Sequence, residues 1–528
     1  MKFSQFFRSY LLPLLVLSFL SPLVAGCYIP QAQRCFFTYL DQPQPRWEPP
    51  PDPYVGHYIM VAPNGFPSDL DGKLIMDEDF EKHYVDKIVE GINSHVQKRK
   101  TDNEPARILF FVHGGLNTRE NQAEHMSDLV SKNDKVLSGS SYYPVLINWE
   151  SSAPRALGDY LFQVRQGLVP RDNWDCVWRG VSVPFIASAG LGASVLDAPR
   201  GLYDMFKNFS HSFDRAKWYE DVIHLLLIPV RFVTVPFIEA FGSPTWEILK
   251  RRTDFLVKRE TRKKGDTEET EKQGDTEKDK EDGALTTLMK KLKCNPFEHG
   301  EEDPTRTKQN TKCIRLDRGK AKWVISQDDH GDRKEVPIDI TLVGHSMGTL
   351  VLDSLLLVLP DLPFKRIIYL ASASSIDDVQ YSILPYLRRH KKAEFYAFSL
   401  SEGDEVREVN GRCPLEEVCL PSFLDPLERG SLLVWIDSFL EDIYRPYQLR
   451  FGRGQNLARA NYAPPRDVKN RFRYITFKGE SDEPKLHTGF TEPLILQRIL
   501  YSVDPCAFRL GLEPYPYPGL KSICERTP

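Results

Sequence analysis

The chain has 528 residues, of which 41% are hydrophobic and 27% are charged. That length allows a large buried core and more than one structural unit. The formal net charge of -4 gives no indication of nucleic-acid binding by bulk electrostatics, so function has to be inferred from local patterns.

The first 26 residues have the layout of an export signal. Lys2 and Arg8 form a basic start, and the apolar run that follows is shorter than a typical membrane span. The run ends in Val24-Ala25-Gly26-Cys27, which resembles the lipobox of bacterial lipoproteins. This resemblance implies cleavage before Cys27, acylation of its thiol and amino groups, and stable anchoring by more than one acyl chain. Tyr28 stands where inner-membrane lipoproteins commonly have aspartate, which favours the periplasmic face of the outer membrane.

The alternative is an ordinary signal cut near Ala25, which would give a soluble periplasmic or secreted protein with Cys27 in a disulfide. The chain has nine cysteines, so eight remain besides Cys27, and export permits disulfides. The candidate pairs are sequence neighbours, although spacing does not determine connectivity: Cys294–Cys313, Cys413–Cys419 and Cys506–Cys524. No zinc-finger spacing and no His-Glu-X-X-His motif occurs, so neither a metal nor another cofactor is expected.

A proline-rich stretch precedes the first candidate strand. It occupies residues 27–56, with most prolines in Asp41–Gly56, and predicts a semi-rigid extended tether that holds the next domain away from a membrane. An extended arm packed on the domain surface is the alternative.

Seven short segments, rich in β-branched and aromatic residues, have the character of strands. They are His57–Ala62, Arg107–Val112, Tyr143–Trp149, Ile338–Val343, Arg366–Ala371, Glu394–Leu400 and Arg471–Phe477. Helical patterns lie between some of them, from about Asn117 to Leu137 and from Gly348 to Leu359. Near-continuously apolar strands that alternate with helices predict an α/β protein whose mostly parallel sheet is covered by helices on both faces.

Two long stretches interrupt this alternation and should contain structure of their own. The predicted core comprises residues 57–150, 336–404 and 471–528, and the insertions occupy residues 151–335 and 405–470.

The first insertion contains two unusual segments. Val222–Phe241 is long enough for a membrane span, but Arg231 near its centre would cost about 2.5–3.5 kcal/mol in a bilayer. We therefore predict a buried or interfacial lid element there. Residues 258–283 contain almost no apolar side chains and are predicted to be a disordered charged linker, with a solvated helix as the alternative.

The pattern Gly344-His345-Ser346-Met347-Gly348 lies between a candidate strand and a candidate helix. That context is typical of a nucleophile elbow, in which glycines flank a serine on a strained turn. A serine hydroxyl needs a base, which follows it in the chain, after an acid, in this arrangement. Only His390 and His487 follow Ser346. His390 lies in a basic run before a strand, whereas His487 follows the last strand, so we predict His487 as the general base.

The acid should follow a strand between the serine and the histidine, where it would hold the imidazole tautomer and stabilise the imidazolium. Asp404 comes just after Glu394–Leu400 in a glycine-containing turn and is the first choice. Glu402 is a neighbouring alternative, and Asp377 and Asp378 follow the preceding strand. Each of them could instead be an ordinary turn carboxylate.

The tetrahedral intermediate of acyl transfer also needs oxyanion donors. One is expected from the backbone N–H of Met347, the residue after the nucleophile. The other should come from the loop His113–Asn117, where Gly115 or Leu116 would donate and glycines allow close approach to a substrate. His113 precedes the elbow in the chain and is interpreted as structural.

Together these motifs resemble the α/β-hydrolase superfamily, of the lipase and esterase kind. The chain is most similar to a group of poorly characterised bacterial esterase-like hydrolases, and the shared features are "VHGGLNT", "LINWESS" and "VGHSMGT". The resemblance covers Ile108–Trp149 and Val336 to about Phe490. It implies the α/β-hydrolase fold, with the large helical insertion as a lid or cap, and an acyl-enzyme formed on Ser346.

The predicted function is therefore cleavage of carboxylic esters, and an apolar insertion combined with a lipid anchor favours acyl esters or membrane lipids. Thioester or amide cleavage by the same serine is one alternative. A non-catalytic envelope lipoprotein that keeps the fold as a binding module is another, because a fold does not prove an activity. The expected partners are an ester substrate and a membrane, with no nucleic acid.

Overall fold

The structure is a computed structural model. It describes residues 56–68, 75, 84–99, 105–115, 140–151, 156, 240, 242–260, 280–293, 313–317, 320–327, 333–408, 430–441, 443, 445–480, 482–508, 513–518 and 520. Several predicted features lie outside these residues, namely Cys27, most of the tether, the helix at about 117–137, Leu116 and nearly all of the lid segment 222–241.

An open sheet forms the centre of the molecule. The strands, in chain order, are β1 (Tyr58–Val61), β2 (Ala106–Val112), β3 (Tyr142–Trp149), β4 (Lys258–Glu260), β5 (Lys280–Asp282), β6 (Cys313–Asp317), β7 (Lys320–Gln327), β8 (Arg333–His345), β9 (Phe364–Leu370), β10 (Glu394–Ser399) and β11 (Phe472–Thr476). Seven of them lie in the parallel order β1-β3-β2-β8-β9-β10-β11. All seven predicted strands are confirmed, and so is the α/β class.

Helices flank this sheet. The α-helices are α1 (Asp86–Arg99), α2 (Ala284–Leu292), α3 (Gly348–Val358), α4 (Ile376–Arg389), α5 (Glu402–Arg407), α6 (Leu432–Trp435), α7 (Gly454–Arg459) and α8 (Pro493–Val503), and residues 242–257 form a further helix. A π-helical turn covers Ile436–Leu440, and 3-10 turns cover Pro446–Gln448, Lys469–Arg471, His487–Thr491 and Pro505–Ala507.

Both faces of the sheet are buried, which explains why its strands are apolar almost without interruption. In β2, Ile108 and Phe110 pack in a cluster with residues of α1, α3 and α4. Leu109 and Phe111 point to the other face and pack with residues of α8. The predicted covering of both faces is confirmed for the described part of the chain.

The strand before the elbow is longer than expected. The second half of β8 pairs with β2 and β9, whereas its first residues pair with β7 in an antiparallel hairpin formed by β6 and β7. This hairpin lies within the predicted insertion 151–335 but belongs to the main sheet. The sequence signal was weak because polar side chains such as Arg315 and Lys322 occupy one face, where both pair with Glu335.

The predicted disorder of residues 258–283 does not hold at the two ends of that segment. Lys258–Glu260 and Lys280–Asp282 pair as an antiparallel two-stranded sheet, β4 and β5. The residues between them lie outside the described part. β4 follows directly after the helix of residues 242–257, and β5 comes just before α2. The pairing of β4 with β5 therefore brings the end of that helix close to the start of α2.

Buried charges tie the second insertion to the rest of the molecule. Arg450 pairs with Glu441 inside the insertion at 3.0 Å and also donates to the core carbonyl of Ala373 at 3.0 Å. Arg453 pairs with Asp437 inside the insertion at 3.0 Å and with Glu402 of the core at 2.5 Å. Glu441 also accepts from Lys250, on the helix of residues 242–257, at 2.9 Å. A buried charge is tolerated when it is paired and hydrogen-bonded, so these contacts define how the insertion sits on the core.

Cys313 and Cys506 each take part in a disulfide, and the other cysteines of the predicted pairs lie outside the described residues. Within the described part, no helix is long and apolar enough to cross a membrane. The same residues contain no group of three or more potential ligands that could hold a metal ion.

Candidate active site

The turn between β8 and α3 carries Ser346 in a strained conformation. Its φ is 52°, in the left-handed region that residues other than glycine seldom adopt. The Ser346 N–H donates to the Leu370 carbonyl at 2.8 Å, and its carbonyl accepts from Thr349 Oγ1 at 2.7 Å. These bonds hold the serine at the carboxyl end of the central strand, as a nucleophile elbow requires.

The two elbow glycines are needed for packing. A Cβ at Gly348 would lie 2.2 Å from the Val112 carbonyl oxygen, so only glycine lets α3 approach the end of β2. A Cβ at Gly344 would lie 2.9 Å from Leu352 Cδ1 and 3.1 Å from the Gly348 backbone. A larger residue is therefore tolerated less well at Gly348, where its Cβ would meet backbone atoms, than at Gly344, where it would partly meet the side chain of Leu352.

His487 lies against the serine although 141 positions separate them. Its Nε2 is 2.8 Å from Ser346 Oγ, and both residues are buried. His487 begins the 3-10 turn between β11 and α8. Burial, and to a lesser degree the neighbouring His345, lowers the pKa of His487 well below its ordinary value. The imidazole is therefore neutral near pH 7, with Nε2 free to accept the serine proton.

The other nitrogen of this imidazole is unsatisfied. If Nε2 accepts from the serine, Nδ1 carries the proton. Nδ1 is buried and has no hydrogen-bond partner among the described residues. A buried N–H normally has a hydrogen-bond acceptor, so an acceptor is expected close to Nδ1 of the His487 ring.

His345 is hydrogen-bonded to the backbone of His487. Its Nε2 lies 3.0 Å from the His487 carbonyl oxygen, which can only accept, so His345 donates. Burial lowers the pKa of His345 to about 4, so it remains neutral. Its role here is to hold the backbone of the residue that carries the base.

The carboxylates predicted as candidates for the acid have other partners. Asp404 accepts from Ser401 Oγ at 2.6 Å at the start of α5, and its carboxylate lies beside Gly479. Glu402 pairs with the buried Arg453. The structure contains no hydrogen bond from either carboxylate to His487.

The second pair of alternatives lies at the start of another helix. Asp378 forms a capping box with Ser375 at the start of α4, and Asp377 lies in the same first turn. These carboxylates stabilise the helix N-terminus, where negative charge is favoured. They are not hydrogen-bonded to His487.

A carboxyl that the sequence reasoning missed does contact His487. Glu408 Oε2 accepts the backbone N–H of His487 at 2.9 Å, and its side chain is buried. Burial raises the pKa of Glu408 to about 7, and this hydrogen bond opposes the rise. Of the carboxyls discussed above, only Glu408 is hydrogen-bonded to His487.

Glu408 was missed because the acid was expected in the turn directly after β10. The chain instead forms α5, and Glu408 is the residue that ends this helix, one turn beyond Asp404. The signal available in the sequence was the spacing of Glu405 and Glu408, which puts both on one face of a helix. Glu405 is also buried, bonds Ser431 Oγ, and has its pKa raised to about 8, mainly by burial.

The glycine loop after β2 packs directly against Ser346 and Met347. A Cβ at Gly114 would lie 2.7 Å from Ser346 Cβ, and one at Gly115 would lie 2.2 Å from Met347 Sδ. The structure therefore brings two of the predicted oxyanion residues, Gly115 and Met347, together beside the serine.

His113 anchors that loop, in line with its interpretation as structural. Its Nδ1 bonds the Gly114 carbonyl, and its Nε2 accepts the Trp149 N–H at 3.1 Å. The Trp149 indole donates back to the His113 carbonyl at 3.2 Å, and the two rings stack. Ser151 Oγ adds a bond of 3.3 Å to the Gly114 carbonyl. The end of β3 thus holds the glycine loop in place.

Comparisons of the chain with protein-family models, with curated proteins and with solved structures find no match. The functional argument therefore depends on the geometry of the site.

Proposed function

We propose that the protein is a serine hydrolase of the α/β-hydrolase fold that cleaves carboxylic esters through an acyl-enzyme on Ser346. The observation that carries the proposal is the 2.8 Å contact between Ser346 Oγ and His487 Nε2 at a left-handed strand–helix turn. A structural serine would need neither the strained turn nor a buried, neutral imidazole beside it.

In acylation, Ser346 Oγ attacks the ester carbonyl carbon while its proton moves to His487 Nε2. The tetrahedral intermediate collapses, the C–O bond to the alcohol breaks, and the imidazolium returns the proton to the departing alcohol oxygen. In deacylation a water attacks the acyl carbon, gives its proton to His487, and Ser346 leaves with that proton while the carboxylic acid departs.

The charge that develops in each step needs a partner. We propose that Glu408, which already accepts the backbone N–H of His487, stabilises the positive charge that forms on the His487 imidazole, and that Asp404 does not. The backbone N–H groups of Met347 and of the Gly114–Gly115 loop are the proposed donors to the oxyanion, because this loop packs onto the nucleophile. Removing one such donor typically costs about 10²–10³-fold in rate.

The test is labelling by a fluorophosphonate probe, which reacts with an activated serine. The wild-type protein should be labelled, and Ser346→Ala should not be labelled. Ser354→Ala is a matched control, because it removes a serine hydroxyl of the same helix α3 that bonds Asp254 at 3.0 Å and is not bonded to the turn that carries Ser346. Labelling that persists in Ser346→Ala would contradict the assignment of the nucleophile.

A hydrolysis screen over ester chain length, phospholipids, thioesters and amides then defines the substrate class. No labelling and no turnover of any substrate would favour the alternative, a non-catalytic envelope protein that retains the fold for binding.

A further inference from the structure

The end of the sheet opposite Ser346 carries a concentration of basic residues. Residues 388–394 and 466–473 together contain eight arginines and lysines but only two acidic residues, in a chain whose net charge is -4. The first segment joins α4 to β10, and the second leads into β11. Both therefore lie where these parallel strands begin.

Direct contacts join the two segments into one surface. Arg388 Nε pairs with Asp467 at 2.8 Å. Arg471 Nη1 donates to the carbonyls of His390 at 3.0 Å and Ala393 at 3.1 Å. We call the resulting surface the basic edge; it comprises the side chains of Arg388, Lys391, Lys392, Arg466, Lys469 and Arg473.

Most of this charge is not neutralised within the molecule. Lys391, Lys392 and Lys469 are exposed and form no salt bridge with any described residue, and the same is true of Arg466. Among the described residues, Arg388 forms a salt bridge with Asp467 on this surface, and Lys391 interacts electrostatically with the same carboxylate. Like charges held this close repel one another when no carboxylate of the protein compensates them. Binding of an external anion relieves this repulsion and is therefore favourable.

We propose that the basic edge docks the protein on an anionic phospholipid surface. Flexible, exposed lysine and arginine side chains suit a laterally fluid array of headgroups, to which each contributes independently. Within residues 388–394 and 466–473, Phe472 is buried and the His390 ring stacks on Tyr386, so these segments offer no free ring on which bases could stack, which disfavours single-stranded nucleic acid as the occupant. The expected acylation of Cys27 would place the protein at a membrane by an independent route.

The sheet defines how such a protein is oriented. Glu394, where β10 begins, is in register with Arg366, which is in register with Thr341, four residues before His345. Lys391 lies three positions further back. At about 3.3 Å per residue, the basic edge is roughly 25 Å from the nucleophile along the strands. A membrane bound there is on the far side of the molecule from Ser346.

One consequence depends on the proposed hydrolase function. An enzyme docked in this way would present Ser346 to the aqueous side, so its substrate would be a soluble ester or one on a facing surface, and not a lipid of the docked bilayer. Hydrolysis of phosphatidylglycerol in the same vesicles would contradict this consequence but leave the docking intact.

The experiment measures sedimentation of the full chain with vesicles of phosphatidylcholine, with or without phosphatidylglycerol. Every version carries Cys27→Ser, so that acylation cannot anchor it. Binding should need the anionic lipid and should weaken with salt, because the Debye length falls from about 30 Å at 0.01 M to about 8 Å at 0.15 M. Lys391→Gln with Lys392→Gln should lower the partition coefficient about 30-fold, since each basic residue contributes about fivefold.

The matched control is Lys478→Gln with Lys485→Gln, which removes two exposed lysines at the site end of the sheet. This variant should bind as the parent does. An equal loss in both variants, or equal binding to vesicles without phosphatidylglycerol, would overturn the proposal. So would binding to duplex DNA, through the same lysines, by a protein that leaves anionic vesicles unbound.

Discussion

The two ends of the central sheet treat buried ionisable groups in opposite ways. At the end where β2 and β9 begin, the buried Asp504 accepts from Arg107 at 3.1 Å and from Tyr142 at 3.1 Å, and it pairs with Arg366 at 2.9 Å. The two arginines lower the pKa of Asp504 despite the opposing effect of burial. Its charge is therefore permanent near pH 7, and the cluster acts as a structural joint between strands and α8.

At the other end, where the strands finish, buried groups are only partly compensated. Glu408 accepts one backbone N–H, and its pKa is raised to about 7. His487 has one nitrogen on Ser346 and the other without a partner among the described residues. Groups whose charge can change near pH 7 can transfer protons, and strongly shifted pKa values concentrate at functional sites. An ion-paired carboxylate thus joins strands at one end of the sheet, whereas the titratable groups Glu408 and His487 at the other end have no such ion pair among the described residues and are available for the proposed proton transfer.

The largest expected effect comes from removing the base. His487→Asn should lower kcat/KM for a hydrolysed ester by about 10⁴-fold or more, because Ser346 then has no proton acceptor. The free energy of unfolding should change little. The measurement is ester hydrolysis under pseudo-first-order conditions.

His390→Asn is the control for that variant. His390 is the only other histidine after the elbow, and it bonds the Pro360 carbonyl at 2.7 Å far from Ser346. It should retain most of the activity. A similar loss in both variants would mean that His487 acts through stability and not through chemistry.

The second prediction concerns the compensated end. Asp504→Asn leaves two buried arginines without their carboxylate, so unfolding should become easier by about 3–5 kcal/mol. Activity per folded molecule should be unchanged at a temperature where the variant is folded. Denaturant unfolding measures the first quantity, and active-site titration with the probe measures the second.

The pH dependence of this loss follows from the lowered pKa of Asp504. The stabilisation is complete above the unfolded value of about 3.9 and is lost as pH falls through the lower folded value. Wild type and Asp504→Asn should therefore converge in strong acid. Asp467→Asn breaks the exposed pair with Arg388 and should leave the unfolding midpoint unchanged, since such pairs contribute little.

The same comparison shows what the sequence could reveal. The strand positions could be predicted from apolar runs, because strands that are buried on both faces consist mostly of apolar residues. The pairing of Ser346 with His487 followed from chain order, since only two histidines come after the elbow.

The missed features depended on contacts that no local pattern encodes. The β6–β7 hairpin is polar on one side and therefore resembled part of the insertion. Glu408 reaches His487 because the chain forms the helix α5 after β10, and the end of this helix places the Glu408 side chain beside His487. The buried partners of Asp504 lie up to 397 positions away from it in the sequence, and spacing alone cannot predict such a cluster.

The third prediction tests which carboxyl serves the base. Glu408→Gln should lower kcat/KM on the order of 10³-fold, because a neutral amide cannot stabilise the imidazolium that forms on His487. Asp404→Asn should cost less than about tenfold, since its carboxylate serves the start of α5. The reverse ranking would return the role to Asp404.

The pH profile separates this role of Glu408 from a structural one. Burial raises the pKa of Glu408 to about 7, so wild-type kcat/KM should fall as pH drops below that value and the carboxylate becomes protonated. His487 does not cause this fall, because its pKa lies well below 6.5. Glu408→Gln should have low activity without a limb near pH 7, whereas Glu405→Gln should keep the limb. If the limb disappears in Glu405→Gln and persists in Glu408→Gln, the buried group that titrates is Glu405, and the assignment of the acid to Glu408 is wrong.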